Sequence, residues 1–231
     1  MPSAIYLQNY SSFGEDDCEA LRRLVRRVLR PGCRILEIGS WLGSGSTRVI
    51  IEELSKIEGG QLYCVDTWKG SPNVPRHQEI MANYDVFATF VHNVKQAGGE
   101  LCVSPLVMSS RDAATIIADG CFDLIFIDAD HSYDRAREDI ALWKPKVGRG
   151  GIFCGHDCEC RLRSSLYESL LANRYEDHIP GVGTPFAVIH PGVVVAVEEA
   201  FCGKAHLWAE EPMLLTDGTI GRATLWDIVL P

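Results

Sequence analysis

The sequence has no uninterrupted apolar run near the ~20 residues of a membrane-spanning helix. Its first residues, "MPSAIYLQNYSSFGEDD", lack the basic-then-apolar layout of a secretory leader. Positive charge is short as well: 22 Lys and Arg stand against 31 Asp and Glu, a formal net charge of −9. Phosphate backbones call for a basic surface, so nucleic acid is excluded as the main partner. Internal repeats and low-complexity tracts are missing. An even cysteine framework is missing too, since the nine cysteines are odd in number and several, such as Cys64 in "LYCVD" and Cys154 in "GIFCGHD", sit inside apolar runs. That pattern suits reduced, buried thiols. These absences leave a cytoplasmic protein with neither membrane nor nucleic acid among its partners. With 46% apolar and 23% charged residues, the 231-residue chain can bury a substantial core as one domain, 1–231.

What is present is an alternation of short apolar runs with amphipathic stretches. "SSFGEDDCEALRRLVRRVLRPG" reads as a helix, opened by Ser12 or Asp16 and stopped at Pro31-Gly32, forming a helical extension within residues 1–30. Leu21, Leu24, Val25 and Val28 recur at helical spacing, which puts the arginines on the solvated face. Strand "CRILEI", helix "STRVIIEELSKI" and strand "GQLYCVD" follow. A loop with Pro72 and Pro75, "WKGSPNVPRHQ", has the makings of a lid. Next come one helix around "IMANYDVFATFVHNVKQA", the edge-like strand "LCVSPLVM" with Pro105, helix "RDAATIIAD", strand "FDLIFID", helix "RAREDIALWKPKV" and strand "GGIFCGH". Such alternation implies an α/β fold with a doubly wound, mainly parallel sheet. Beyond Asp157 the pattern loosens. "PGVVVAVEEAF" reads as a helix with Pro191 at its start, and "AHLWAE" and "ATLWDIVL" as antiparallel closing strands.

In an open α/β sheet, ligands bind outside the carboxyl ends of the strands. After the five expected parallel strands come "EIGSWLGSGS", Asp66 in "VDTWKG", Ser109 to Arg111, "DADHSY" and "GHDC", so every unusual polar cluster of the first 160 residues falls on one edge. Gly39, Gly43 and Gly45 allow a tight turn and close approach of a ligand, and the following helix can aim free N–H groups at an anion. The spacing E-x-G-x-x-x-G-x-G departs from the G-x-G-x-x-G of a dinucleotide site. "CGHDCEC" could hold zinc through Cys154, His156, Cys158 and Cys160, but no second ligand knuckle is visible.

This layout resembles the class I S-adenosylmethionine (SAM) methyltransferases. The match strengthens at "FDLIFIDADHSYDRAREDIALWKPKVGRGGIFCGHD", which is similar to a subgroup with an IDADHSY…GGxxxGHD pattern, related to catechol-type and macrocin-type O-methyltransferases and to cephalosporin hydroxylase-like proteins. It spans roughly Arg34 to Asp157. The resemblance implies a Rossmann-like methyltransferase fold in which Glu37, Gly39, Ser40, Trp41 and Gly43 hold the methionine part of SAM and Asp66 binds the ribose hydroxyls. Thr67 and Trp68 would flank the adenosine, with Ser109, Ser110 and Arg111 by the adenine and Asp128 near the sulfonium. A loop aromatic packed on the sheet edge is the other reading of Trp68.

On the acceptor side, Asp128, His156 and Asp157 match positions where relatives hold a metal, so a magnesium or manganese ion on these three is one expectation. His156 departs from the family, which has an acid there, and imidazole is a poor ligand for magnesium. The alternative is a metal-free enzyme with His156 or His131 as general base. His131 as a helix cap and His156 as a strand end are the structural readings. The implied function is SAM-dependent methylation of a small molecule, on oxygen, with residues 158–186 shaping the acceptor pocket. Two other readings stand beside it. One is an oxidative enzyme like the cephalosporin hydroxylases, for which no second histidine completes a two-histidine, one-carboxylate set; the other is a non-catalytic SAM or nucleotide binder. A homodimer through the N-terminal helix and closing strands competes with plain core packing of those elements.

Overall fold

The computed structural model describes residues 13–71, 74–162 and 165–231. Ser12, one of the two expected helix openers, lies outside them. The first helix, α1 (Glu15–Val28), starts with Glu15, Asp16 and Asp17 and ends with Arg26 and Arg27, each sign placed to complement the helix dipole. Its buried Leu21, Leu24 and Val25 face the core, while Arg22 and Arg26 reach Glu53 on the next helix.

The chain then runs β1 (Arg34–Ile38), α2 (Ser46–Leu54), β2 (Gln61–Asp66), α3 (Pro75–Asn83), α4 (Val86–Gln96), β3 (Val103–Val107), α5 (Ser110–Ile116), β4 (Phe122–Ile127), α6 (Tyr133–Trp143) and β5 (Val147–Gly155). After these come α7 (Tyr167–Ala172), a two-residue ribbon of β6 (Ile179–Pro180) and β7 (Val188–Ile189), and α8 (Pro191–Phe201). β8 (His206–Leu207), the short hairpin β9 (Met213–Leu214) and β10 (Ile220–Gly221), and β11 (Trp226–Val229) close the fold.

One seven-stranded sheet has the order β3-β2-β1-β4-β5-β11-β8. The pairs among β1 to β5 are parallel, whereas β11 runs antiparallel to β5 and β8 antiparallel to β11. This is the expected doubly wound, Rossmann-like architecture with antiparallel closing strands. Pro105 is tolerated because β3 is an edge strand, bonded only to β2. Residues of α1, α2, α3 and α4 pack on one face of the sheet, and those of α5, α6, α7 and α8 on the other. The strand order reverses at β1 and β4, and a crevice opens there above their carboxyl ends.

Two local expectations are corrected. The single helix expected around residues 80–97 is two, because Asp85 accepts the Ala88 N–H at 2.9 Å and caps α4, leaving Tyr84 and Asp85 extended. Helix α6 begins at Tyr133 rather than Arg135, with Ser132 at its cap position, and gives way at Lys144 to a 3-10 turn around Pro145.

Candidate active site

The crevice has two walls made by different means. On the β1–β2 side the backbone does the shaping. Gly39 has φ +88°, and a Cβ there would lie 1.8 Å from the carbonyl oxygen of Asp128. Only glycine therefore lets β1 leave the sheet against β4. Glu37 is fully buried; Thr47 donates to its Oε2 at 2.6 Å, while Oε1 and the neighbouring Ser40 hydroxyl have no partner. Burial pushes the Glu37 carboxyl up, against the pull of the Thr47 hydroxyl that donates to it. Helix α2 begins with Gly45 at its cap, no side-chain cap and no acid in its first turn, so its N-terminal amides stay available to an anion.

Asp66 ends β2 and accepts the N–H groups of Trp41 at 2.8 Å and Trp68 at 2.7 Å. Both tryptophans are left-handed, with φ +44° and +52°, a conformation that costs a bulky residue about 1 kcal/mol or more. One carboxylate thus pins two strained turns. Burial raises its pKa, opposed by those backbone amides.

A cleft of about 220 Å³ lies over these groups, lined by Gly39, Trp41, Asp66, Thr67, Ser110 and Asp128, with His77 at its mouth. Ser110 is fixed by a hydrogen bond to buried Asp139 and by the Trp143 indole, which donates to it at 2.7 Å. The remaining cofactor candidates sit elsewhere. Ser109 caps α5 through the Asp112 N–H, and Arg111 pairs with Glu138 on the surface. Trp68 is buried against Phe87 and Phe90, and its indole donates to the Trp41 carbonyl, which is the packing reading of that residue.

On the β4–β5 side, side chains do the shaping. Asp157 is left-handed, φ +61°, and stands among three imidazoles: His131 Nε2 at 3.0 Å, His156 Nδ1 at 3.2 Å and His190 Nδ1 at 3.3 Å. Burial would raise the Asp157 pKa, but these rings hold it well below the carboxylate range. His156 is buried with Nδ1 also 3.7 Å from Asp128 and Nε2 3.3 Å from Asp17 of α1. His131 has its other nitrogen 2.9 Å from Asp177, and His190 lies 2.6 Å from Glu159. Burial opposes protonation of all three rings, yet the surrounding carboxylates raise His131 and His156 well above the ordinary imidazole range and raise His190 too.

A second cavity of about 320 Å³, lined by Trp41, Val74, His77, His131, Tyr175 and Asp177, adjoins the cofactor cleft. Gly39, Trp41, His77 and Asp128 line both spaces. His131 does not cap α6, since Ser132 holds that position. Among the described residues, the clusters of groups able to hold a metal contain no cysteine, and Cys154 instead faces the Ile125 carbonyl from inside β5. The zinc reading therefore finds no converging thiols.

Sequence reasoning missed Asp17, His77, Glu159, Asp177 and His190. One signal for His190 was available: it precedes Pro191-Gly192, and a Cβ on Gly192 would lie 2.2 Å from the His131 carbonyl. That glycine lets the start of α8 close onto the β4 loop. His190 brings a third imidazole beside Asp157, a neighbour the sequence reading did not place there.

The Asp128–His156–Asp157 position does not fit magnesium. The ion takes an octahedron of oxygens, and here a buried imidazole stands in the middle of three carboxylates as their counter-charge.

Similarity to known proteins agrees with this geometry. The O-methyltransferase from Bacillus cereus, solved in complex with S-adenosylhomocysteine (SAH), is 18% identical, with a TM-score of 0.56 over 96% of this chain and 83% of that one. The O-methyltransferase TomG from Streptomyces achromogenes, involved in tomaymycin synthesis and solved with SAM, is 16% identical, with a TM-score of 0.57 over 93% and 79%. A SAM-dependent O-methyltransferase from Thermotoga maritima is 11% identical, with a TM-score of 0.56 over 97% and 68%. At these identities the likeness is one of fold. No curated protein matches the sequence. The family described as a methyltransferase domain matches residues 36–158, more than half of the chain, and to that methyltransferase family the protein belongs.

Proposed function

We propose that the protein is a SAM-dependent methyltransferase acting on an oxygen of a small molecule. The observation that carries this reading is the joint between the two spaces: Gly39 and Asp128 line both the 220 Å³ cleft at the strand-order reversal and the 320 Å³ cavity beside it. A donor and an acceptor held in the two spaces would meet at Asp128.

The cleft suits SAM. Glu37, Ser40 and Trp41 each carry a buried polar atom without a partner, and Gly39 leaves its Cβ position open to the β4 backbone. Those residues with Gly43 and the α2 amides would hold the methionine part, Asp66 the ribose hydroxyls, Thr67 the adenosine and Ser110 the adenine edge. When bound, SAM supplies an electrophilic methyl group on a sulfonium.

The chain's own work is positioning and the removal of one proton. Asp128 favours positive charge at the joint and faces the acceptor, so it takes the hydroxyl proton. His131 and His156 are less suited, because the acids around them favour the protonated form of both rings. Tyr175 and Asp177, from the 158–186 segment, would shape the acceptor pocket, and Ser71 and Val74 would border it from the loop. An uncharged or cationic acceptor fits best, since Asp128, Asp130, Glu176 and Asp177 outnumber His77 and His131 among the described residues that line the cavity.

Titration calorimetry tests this reading. SAH is expected to bind in the micromolar range and NAD not at all, and Asp66→Ala to weaken SAH by roughly 10–100-fold through loss of charge-assisted hydrogen bonds. Binding of NAD without SAH would overturn the assignment.

A further inference from the structure

We propose that His131, Asp157 and His190 form a binding site for a divalent transition-metal ion of the zinc and iron class, distinct from the Asp128–His156–Asp157 position with which it shares Asp157. Each residue offers one donor atom, and the three donors lie within 4.8 Å of one another. His131 Nε2 lies 3.0 Å from Asp157 Oδ2 and His190 Nδ1 lies 3.3 Å from Asp157 Oδ1, so the two rings face different oxygens of one carboxylate. Donors about 2.1 Å from a shared ion, at octahedral or tetrahedral angles, are separated by about the same distances. Two imidazoles and one carboxylate form a donor set suited to borderline ions and not to magnesium.

The surroundings are those of a built site. Asp177 lies 2.9 Å from His131 Nδ1 and so sets the tautomer that turns Nε2 toward Asp157, which is how a carboxylate behind a metal-bound histidine acts. Glu159 is buried, accepts the His190 main-chain N–H at 3.0 Å and lies 2.6 Å from the same Nδ1 that faces Asp157, so an ion held by that nitrogen would take the place of a proton between the two carboxylates. The close contact of Gly192 with the His131 carbonyl ties the two histidine-bearing segments together. Asp157 is held left-handed, a conformation that persists only where the surroundings impose it.

A cavity of about 20 Å³, the size of a single small occupant, adjoins the site and is lined by His131 and Asp157 with Asp128 and His156, but not by His190. His131 also lines the acceptor cavity, so open coordination positions would face that space. The neighbouring Asp128–His156–Asp157 set is the weaker candidate. It offers one imidazole and two carboxylates, whereas the His131–Asp157–His190 set offers two imidazoles to a borderline ion.

The imidazole nitrogens bind the ion in their neutral form, so any proton they carry leaves to solvent, and no electron moves. The proposal does not rest on the methyl-transfer reading, and its test needs only the metal.

The full chain, stripped with a chelator, is titrated with Co²⁺ alone. One equivalent is expected to give visible d–d absorption and two paramagnetically shifted, exchangeable imidazole N–H resonances. His190→Ala is expected to weaken Co²⁺ by at least ~100-fold and Asp177→Asn by ~10–100-fold, while Asp128→Asn leaves it unchanged. Circular dichroism shows whether each variant folds, and the two shifted resonances of the unsubstituted chain decide the question if His190→Ala does not. Absence of absorption and shifted resonances at one equivalent overturns the site. So does Co²⁺ binding that survives His190→Ala and is lost in Asp128→Asn, since the ion would then sit on Asp128, His156 and Asp157.

Discussion

The two walls of the cleft hold charge in opposite ways. At the β1–β2 wall, Asp66 is satisfied by the backbone amides of Trp41 and Trp68, and Gly39 brings bare main chain against β4. At the β4–β5 wall, Asp157 is satisfied by three imidazoles that reach it from the β4 loop, the end of β5 and the start of α8. Backbone amides cannot gain or lose a proton near neutrality, so the first wall offers a fixed field suited to a cofactor that must always be held alike. Imidazoles can exchange a proton for a metal or a substrate contact, and the second wall is built of groups whose charge can change.

The strongest way to break this contrast is Asp157→Ala. It leaves three imidazoles around a missing counter-charge, and the expected loss is about 3–5 kcal/mol in urea denaturation at neutral pH. SAH affinity should survive, because Asp157 does not line the cofactor cleft. A collapse of SAH binding in a folded Asp157→Ala protein would mean that the walls are not independent.

Next comes Gly39→Ala. A Cβ placed 1.8 Å from a carbonyl oxygen, on a residue at φ +88°, adds left-handed strain of about 1–2 kcal/mol to overpacking of about 1–3 kcal/mol. Denaturation should show a loss in that summed range, and here SAH binding should disappear with it. Undiminished SAH binding would show that the backbone does not shape the cofactor wall.

A smaller effect tests a titrating side chain that supports the cofactor wall. Asp139, buried behind Ser110, is raised by burial from 3.8 to about 6. With the folded pKa above the unfolded one, its stabilising contribution is complete below pH 3.8 and is lost as pH rises through about 6. Asp139→Asn escapes that loss, which amounts to roughly 2–3 kcal/mol above the transition. The melting temperature of the variant should therefore gain on the parent between pH 4 and pH 7.5, and a constant difference across that range would refute the role given to Asp139. The smallest effect belongs to Arg111→Ala. Its surface pair with Glu138 should contribute under about 1 kcal/mol, and SAH titration should be unchanged. Marked weakening would return Arg111 to the adenine.

Legibility follows the same division. The strands, the glycine turn and Asp66 could be read in order along the chain, because each depends on neighbours within a few residues: an apolar run, a turn that needs φ > 0, an acid at a strand end. The break at Asp85 was also local, a capping aspartate inside a helical pattern, and went unread because the apolar period continues across it. Asp17, Asp177 and His190 were illegible for a different reason. In sequence they are an acid in a first helical turn, an acid in a loop and a histidine before a proline, and each has an ordinary local explanation.

The sequence by itself determined the parallel sheet, its antiparallel closure and the edge on which the chemistry gathers, since hydrophobic period and turn chemistry act over short distances. Tertiary structure alone decided that α1, the β4 loop, the end of β5, the α7–β6 loop and the start of α8 converge on Asp157. Convergence of that kind depends on how helices dock across the sheet, and the atoms that set it, such as the missing Cβ of Gly192 against the His131 carbonyl, lie far apart along the chain.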